Sequence, residues 1–148
     1  MKALLQRVAE AAVSVDGREV GRIGPGLLVF LGLDRGDDLA VAERLLSRVL
    51  RYRVFADDAG RMNRSVVDSG GGVLLVSQFT LSADTGRGLR PSFSSALPPA
   101  EAAALYGDCL AWLRAQHAPV AAGEFGADMQ VSLVNDGPVT FLLESLAP

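Results

Sequence analysis

The apolar positions of this chain fall into runs and stripes that predict most of its elements. Residues 3–9 and 11–15 carry the pattern of a strand interrupted near Glu10. Asp16-Gly17 is a hairpin signal, with Glu19 to Ile23 as the returning strand. Gly24-Pro25-Gly26 closes that strand, and Leu27 to Leu33 is a continuous apolar run that fits a buried strand. Asp37-Asp38 then marks a helix start. Leu39, Ala42, Leu46 and Val49 share one face, with Leu45 and Leu50 beside them, while Glu43, Arg44, Ser47, Arg48 and Arg51 occupy the other. Val54-Phe55 begins a short extended piece ahead of the Asp57-Asp58-Ala59-Gly60 turn. Gly70-Gly71-Gly72 precedes a strong strand, Val73 to Leu81, and a flexible stretch, Ser82 to Arg90, follows it. Pro98-Pro99 suits the first turn of a second helix, whose buried stripe is Ala102, Leu105, Cys109 and Trp112. Val131 to Val134 and Val139 to Leu143 read as a final hairpin-like pair around Gly137-Pro138. The order β-β-β-α-β-α-β-β predicts a single mixed α/β domain over residues 1–148. Its curved, largely antiparallel sheet is sandwich- or barrel-like, with two main helices packed on it.

Composition narrows the function classes. Hydrophobic residues make up 49% of the 148 positions and charged residues 21%, a globular balance large enough to bury a core without metal or disulfide staples. No apolar run approaches the roughly 20 residues needed to cross a bilayer. Gln6 and Arg7 interrupt any signal-peptide core at the N-terminus, so no membrane partner is expected. Cys109 is the single cysteine, which makes a reducing cytoplasm the default compartment. With one cysteine and one histidine, a zinc shell is not expected, and no GxGxxG or phosphate-loop motif announces a nucleotide cofactor. His117, near a helix end, reads as a cap rather than a general base. Net charge −3 argues against a general nucleic-acid binder but leaves room for a local basic face. Arg44, Arg48 and Arg51 can form such a stripe, or simply a solvated helix face.

Three segments could carry chemistry. Ser77-Gln78-Phe79-Thr80-Leu81 ends an apolar strand in hydroxyls and an amide, just before a glycine-containing loop. Backbone amides where a ladder stops can hold an oxyanion, and Thr80 can position substrate or act as nucleophile; an ordinary polar strand end explains the same residues. In the loop Thr85 to Phe93, Arg87 and Arg90 can fork onto phosphate and Phe93 can stack on a base, or the loop is simply solvated. Gly137-Pro138, read alone, is turn punctuation, though proline in a strand belongs at an edge or bend and could leave a bare carbonyl in open space.

Taken together, Ser77-Gln78-Phe79-Thr80-Leu81 and Asn135-Asp136-Gly137-Pro138-Val139-Thr140 resemble the signature pair of the D-aminoacyl-tRNA deacylase family. The resemblance spans the chain, through Leu5-Gln6-Arg7-Val8, Gly26-Leu27-Leu28-Val29, Gly60-Arg61-Met62-Asn63, Arg90-Pro91-Ser92-Phe93 and Gly123 to Val131. Arg61 and Arg87 stand where lysine is expected, and Leu89 where a polar residue is. The resemblance implies a hydrolase that cleaves the ester between a D-amino acid, or mischarged glycine, and the tRNA 3′ end. It implies a homodimer without metal or cofactor. It implies that Gly137 and Pro138, joined by a cis bond, read chirality in the partner's site, with Arg7 bracing them. Ser77, Gln78, Phe79 and Thr80 would line the ester, Phe125 and Met129 the pocket walls, and Arg87, Arg90 and Phe93 would contact RNA.

Two mechanisms remain open: Thr80 as covalent nucleophile, or the terminal ribose 2′-hydroxyl assisting water while Ser77–Thr80 amides hold the oxyanion. The second is favoured, because no histidine, lysine or carboxylate is evident beside Thr80 to activate it. A hydrolase editing a wrong L-aminoacyl-tRNA and a non-catalytic tRNA-binding module are the competing function classes.

Overall fold

In the computed structural model, which describes residues 1–145, strand β1 (Lys2–Val15) organises the sheet. One of its edges is shared, with β3 (Gly26–Gly32) along Lys2–Val8 and β2 (Arg18–Ile23) along Ala11–Val15. Its other edge pairs with β8 (Gln130–Glu144) on both sides of an interruption. These pairings are antiparallel. The sheet continues in parallel from β3 to β6 (Gly72–Ser77) and on to β7 (Val120–Ala122). It curls until β2 and β7 nearly meet: a Cβ on Gly21 would lie 2.3 Å from the Ala122 carbonyl oxygen, so only glycine lets the barrel close this far. The expected mixed, barrel-like sheet is therefore what the chain forms.

Helices α1 (Leu39–Arg51) and α3 (Pro99–Gln116) pack on the outer face; between them lie β4 (Phe55–Ala56), β5 (Met62–Arg64) and the short helix α2 (Val66–Ser69). Asp38 caps α1, its carboxylate accepting from the Val41 amide at 2.9 Å. Ala42, Leu45, Leu46, Val49 and Leu50 form the buried stripe of α1, whereas Leu39 is exposed. In α3, Tyr106 and Leu113 join Ala102, Leu105 and Cys109, and Trp112 is only half-buried.

Alternation along β3 and β6 divides the core in two. Leu27, Val29, Leu31, Val73 and Leu75 face the helices; Leu28, Leu74 and Val76 fill the barrel with Val8, Ala11, Val13 and Ile23. Full burial of each valine, leucine or isoleucine among them contributes roughly 1.5–3 kcal/mol. β1 serves both cores: Ala3 and Leu5 face the helices, while Val8, Ala11 and Val13 face the barrel interior. A switch of face needs an irregular ladder, and the register with β8 slips between Gln6 and Val8 and again between Val8 and Glu10. The expected break in the first strand is thus a change of side within one continuous strand.

Two expectations need correction. The strand from Val73 stops at Ser77, and Phe79–Ser82 forms a 3-10 turn. The final hairpin-like pair is instead one strand, β8, which runs through Gly137-Pro138 because β1 holds it on both sides.

Candidate active site

Two regions contain nearly all the residues singled out in the sequence. The first is a cavity of about 710 Å³ beyond the ends of the parallel strands β3 and β6. Such strand ends leave a crevice that suits ligands, and the volume fits a small-molecule-sized group. The Gln78 amide makes the last ladder bond, to the Leu31 carbonyl at 2.8 Å, before the chain turns. Leu81 N then donates to the Gln78 carbonyl at 3.2 Å, and buried Ser82 ties the turn to the Leu33 carbonyl through its hydroxyl at 3.3 Å. Gly32 makes room, since a Cβ there would lie 2.8 Å from that of Leu81. The leading N–H groups of a helical turn have no carbonyl within the turn to serve, so the Phe79 and Thr80 amides are suited to meet a developing negative charge.

Ser77, Gln78, Phe79, Phe93, Phe125 and Met129 all line this cavity. Thr80 does not; it is exposed, and its hydroxyl oxygen accepts a bond from the Gln78 side-chain amide. Phe79 and Phe93 meet at 5.0 Å between centroids with their planes at 57°, an offset aromatic pair on the rim. Paired bonds between Asp84 and Ser92 close the loop that follows, and Arg87, Leu89 and Arg90 are exposed on it. Those two arginines are near the cavity in sequence but are not part of its wall.

The opposite wall rests on residues that sequence reading missed. Phe125 packs on Tyr106 with centroids 5.8 Å apart, and the buried Tyr106 hydroxyl donates to the Leu75 carbonyl at 2.8 Å. Burial pushes the Tyr106 phenol up to about 12, so it stays a neutral donor. Met129 folds back so that its sulfur accepts from the Glu124 amide at 3.4 Å, which requires Gly123 beneath it. Cys109 is inert at neutral pH, because burial pushes its thiol up to about 12. His117 caps α3, with Nε2 2.7 Å from the Gly71 carbonyl. It lies at the opposite end of β6 from Ser77, ~17 Å away at ~3.3 Å per residue.

The second region is the interruption in β8. Between the Val8–Asn135 and Gln6–Thr140 pairs, Asp136 to Val139 face Arg7 alone, so the chain bulges outward. Arg7 braces the bulge, donating from Nε to the Asp136 carbonyl at 2.9 Å and from a terminal nitrogen to the Val54 carbonyl at 2.6 Å. Asn135, which sequence reading placed in a motif without a task, closes its neck. Its Nδ2 donates to the Arg7 and Val139 carbonyls at 2.9 and 3.0 Å, and its Oδ1 accepts from the Val139 amide at 3.2 Å. Gly137 and Pro138 are exposed at the tip, and the bond between them is cis. Neither lines the cavity. Arg7 pairs with Leu27 at one end of β3, while the cavity opens past Leu31, ~13 Å further on.

The family model described as D-Tyr-tRNA(Tyr) deacylase matches residues 4–144. The chain belongs to that family. A D-aminoacyl-tRNA deacylase of Stutzerimonas stutzeri is 64% identical over 145 residues, covering 98% of this chain and 100% of the relative. One of Azotobacter vinelandii is 63% identical with the same coverage. Among solved structures, one titled c-Myc DNA Unwinding Element Binding Protein superposes with a TM-score of 0.95 at 41% identity, covering 99% of this chain and 100% of the other. A second, titled as a probable eukaryotic D-amino acid tRNA deacylase, has a TM-score of 0.77 at 18% identity and shares the fold, covering 96% of this chain and 97% of its own. Membership in a deacylase family bears out the expectation of a hydrolase acting on an aminoacyl-tRNA ester. Among the described residues no helix is long and apolar enough to cross a membrane.

Proposed function

We propose that this chain removes D-amino acids, and glycine, from tRNA, and that two copies share the work. The observation that carries this reading is the separation of the bulge from the cavity. Arg7 and Asn135 bond the residues on either side of Gly137-Pro138, while that pair is exposed and lines no part of the cavity of its own copy. A second copy gives the projecting carbonyls a cavity to enter. There they accept a bond from the ammonium of a D-aminoacyl group and leave no space for an L side chain. D and L substrates contain the same atoms, so a discrimination of ~10⁴, equivalent to about 5.5 kcal/mol, needs steric exclusion together with an unpaired charge. Glycine has no side chain to exclude and enters.

Hydrolysis then proceeds with Phe79 and Thr80 amides on the oxyanion and the substrate's ribose 2′-hydroxyl assisting water. Thr80 positions substrate through Gln78 and is not the nucleophile. An exposed hydroxyl held by an amide has no base to take its proton. Phe79 and Phe93 stack on the terminal adenine, and Arg87 and Arg90 reach nearby phosphates.

Release of amino acid from D-Tyr-, L-Tyr- and Gly-tRNA, measured side by side, tests the reading. D-Tyr and glycine are expected to be released and L-Tyr retained; faster release of L-Tyr would make the chain an editor of L-amino acids. The 41% identical structure is titled for binding a DNA element, and non-catalytic binding of tRNA is the second reading. It would show as tight tRNA binding with no release from any of the three.

A further inference from the structure

The surface between α1 and α3 carries a second concavity, of about 460 Å³, lined by Arg44, Arg48, Arg51 and Trp112 together with Glu43 and Ser145. Arg44, Arg48 and Arg51 stand at spacings of four and three on one helix face. Among the described residues none of the three has a carboxylate within ion-pair distance, although Glu43 is close by in the groove. Arg48 is anchored, donating to the Glu144 carbonyl at 2.7 Å, and Arg51 donates from Nε to the Ser47 carbonyl at 3.3 Å. Each bond uses one guanidinium donor and leaves the others of that side chain for a ligand. The dipole of α1 favours cations in its last turn, which accounts for Arg48 and Arg51; Arg44 lies two turns from the end and gains nothing from it. Three guanidinium groups gathered in one groove make a local positive patch on a chain of net charge −3, a field that draws an anion to it.

We propose that this groove binds the sugar-phosphate backbone of the tRNA whose 3′ end occupies the cavity. The proposal rests on the deacylase reading. α3 links the two places: Ala102 lines the cavity and Trp112 lines the groove, and ten residues of helix span about 15 Å. An RNA strand leaving the cavity presents several phosphates over that distance. Arginine's planar fork suits each of them, and half-buried Trp112 gives the groove a flat floor on which a ribose or base can lie.

The test compares wild type with an Arg44→Gln, Arg51→Gln double variant that leaves the Arg48 anchor intact. Two substrates are used, full-length D-Tyr-tRNA and the short ester D-tyrosyl-adenosine. The expected result is a rise of ~10-fold or more in KM for the tRNA, with the short ester cleaved as by wild type. The slope of log K against log salt for uncharged tRNA should fall by about 1.4–1.8, since each of the two lost phosphate contacts removes ~0.7–0.9. An Arg44→Lys, Arg51→Lys variant should retain most of the slope. Unchanged tRNA affinity and slope in the glutamine variant overturn the proposal, as when an acidic protein is the true occupant. So does equal loss on both substrates, or a lysine variant as impaired as the glutamine one. A wild-type protein that binds tRNA but releases no D-Tyr sinks the deacylase reading instead, and the salt slopes still decide the groove.

Discussion

The turn after Ser77 and the bulge at Asp136–Val139 both interrupt a strand, but different forces shape them. The turn forms where partners run out and is held from below mainly by burial, with Gly32 admitting Leu81 and one buried hydroxyl, that of Ser82, bonded to the Leu33 carbonyl. The bulge occurs where partners are present on both sides, and side-chain hydrogen bonds from Arg7 and Asn135 keep its four residues off the ladder. A site resting on a hydrophobic floor tolerates conservative change in its exposed polar groups. A loop held by a few directed bonds does not, because each lost bond frees the whole excursion. The proposed catalytic and selective elements therefore rest on supports of unequal robustness.

The sharpest way to break this contrast is Gly137→Ala. A Cβ there would lie 2.3 Å from the Val139 amide nitrogen and 2.7 Å from its side chain, so the bulge must move. Release of D-Tyr from tRNA is expected to fall by ~100-fold or more in kcat/KM, equivalent to about 2.7 kcal/mol. Circular dichroism and the thermal midpoint should change little; a variant with wild-type kcat/KM would deny the bulge a part in the reaction. Asn135→Asp keeps the shape of the side chain and removes its two donors. Loss of those bonds, at ~1–3 kcal/mol, should lower the D-over-L ratio by ~10-fold while leaving hydrolysis of D-tyrosyl-adenosine detectable. Preserved selectivity in that variant would show that Arg7 alone suffices.

Smaller effects are expected on the cavity side. Tyr106→Phe leaves the Leu75 carbonyl without its donor and should lower stability by ~1–2 kcal/mol in urea titrations, with only a few-fold rise in KM. Thr80→Ala is the mildest: activity within ~5-fold of wild type, and no acyl-enzyme trapped by acid quench. Abolished turnover in a folded Thr80→Ala protein would reverse the assignment and make the hydroxyl the nucleophile.

Much of this arrangement was legible in the chain because apolar pattern and burial coincide there. α1 starts at Leu39 after the Asp38 cap, and the hairpin at Asp16-Gly17 has both residues at positive φ, 51° and 75°. What escaped was decided by neighbours rather than by local preference. Phe79, Thr80 and Leu81 are good strand formers, but β3 ends at Gly32 and β7 covers only Val73–Leu75, so no ladder remains to extend. Gly137-Pro138 reads as a turn between strands; pairing with β1 on both sides keeps β8 whole. Trp112, expected in the buried stripe, is half-buried because it lines the arginine groove. The three residues of β7 and the four of α2 were too short to show any period. Tyr106 and Asn135 could have been found only through their partners, Leu75 and Val139, which lie elsewhere in the chain or across a bulge.

β8 has a further consequence for the molecule in solution. Among the described residues its only ladder partner is β1, so its outer rim is an open edge, flanked by the exposed side chains of Val134 and Leu142. A straight edge of that length is a template on which other chains can nucleate, and fibrils grow from such edges. Pro138 has no amide proton to offer, Asp136 brings a charge, and the bulge bends the rim between two short halves. The excursion to which substrate selection is assigned above also shortens the straight edge on which another chain could add.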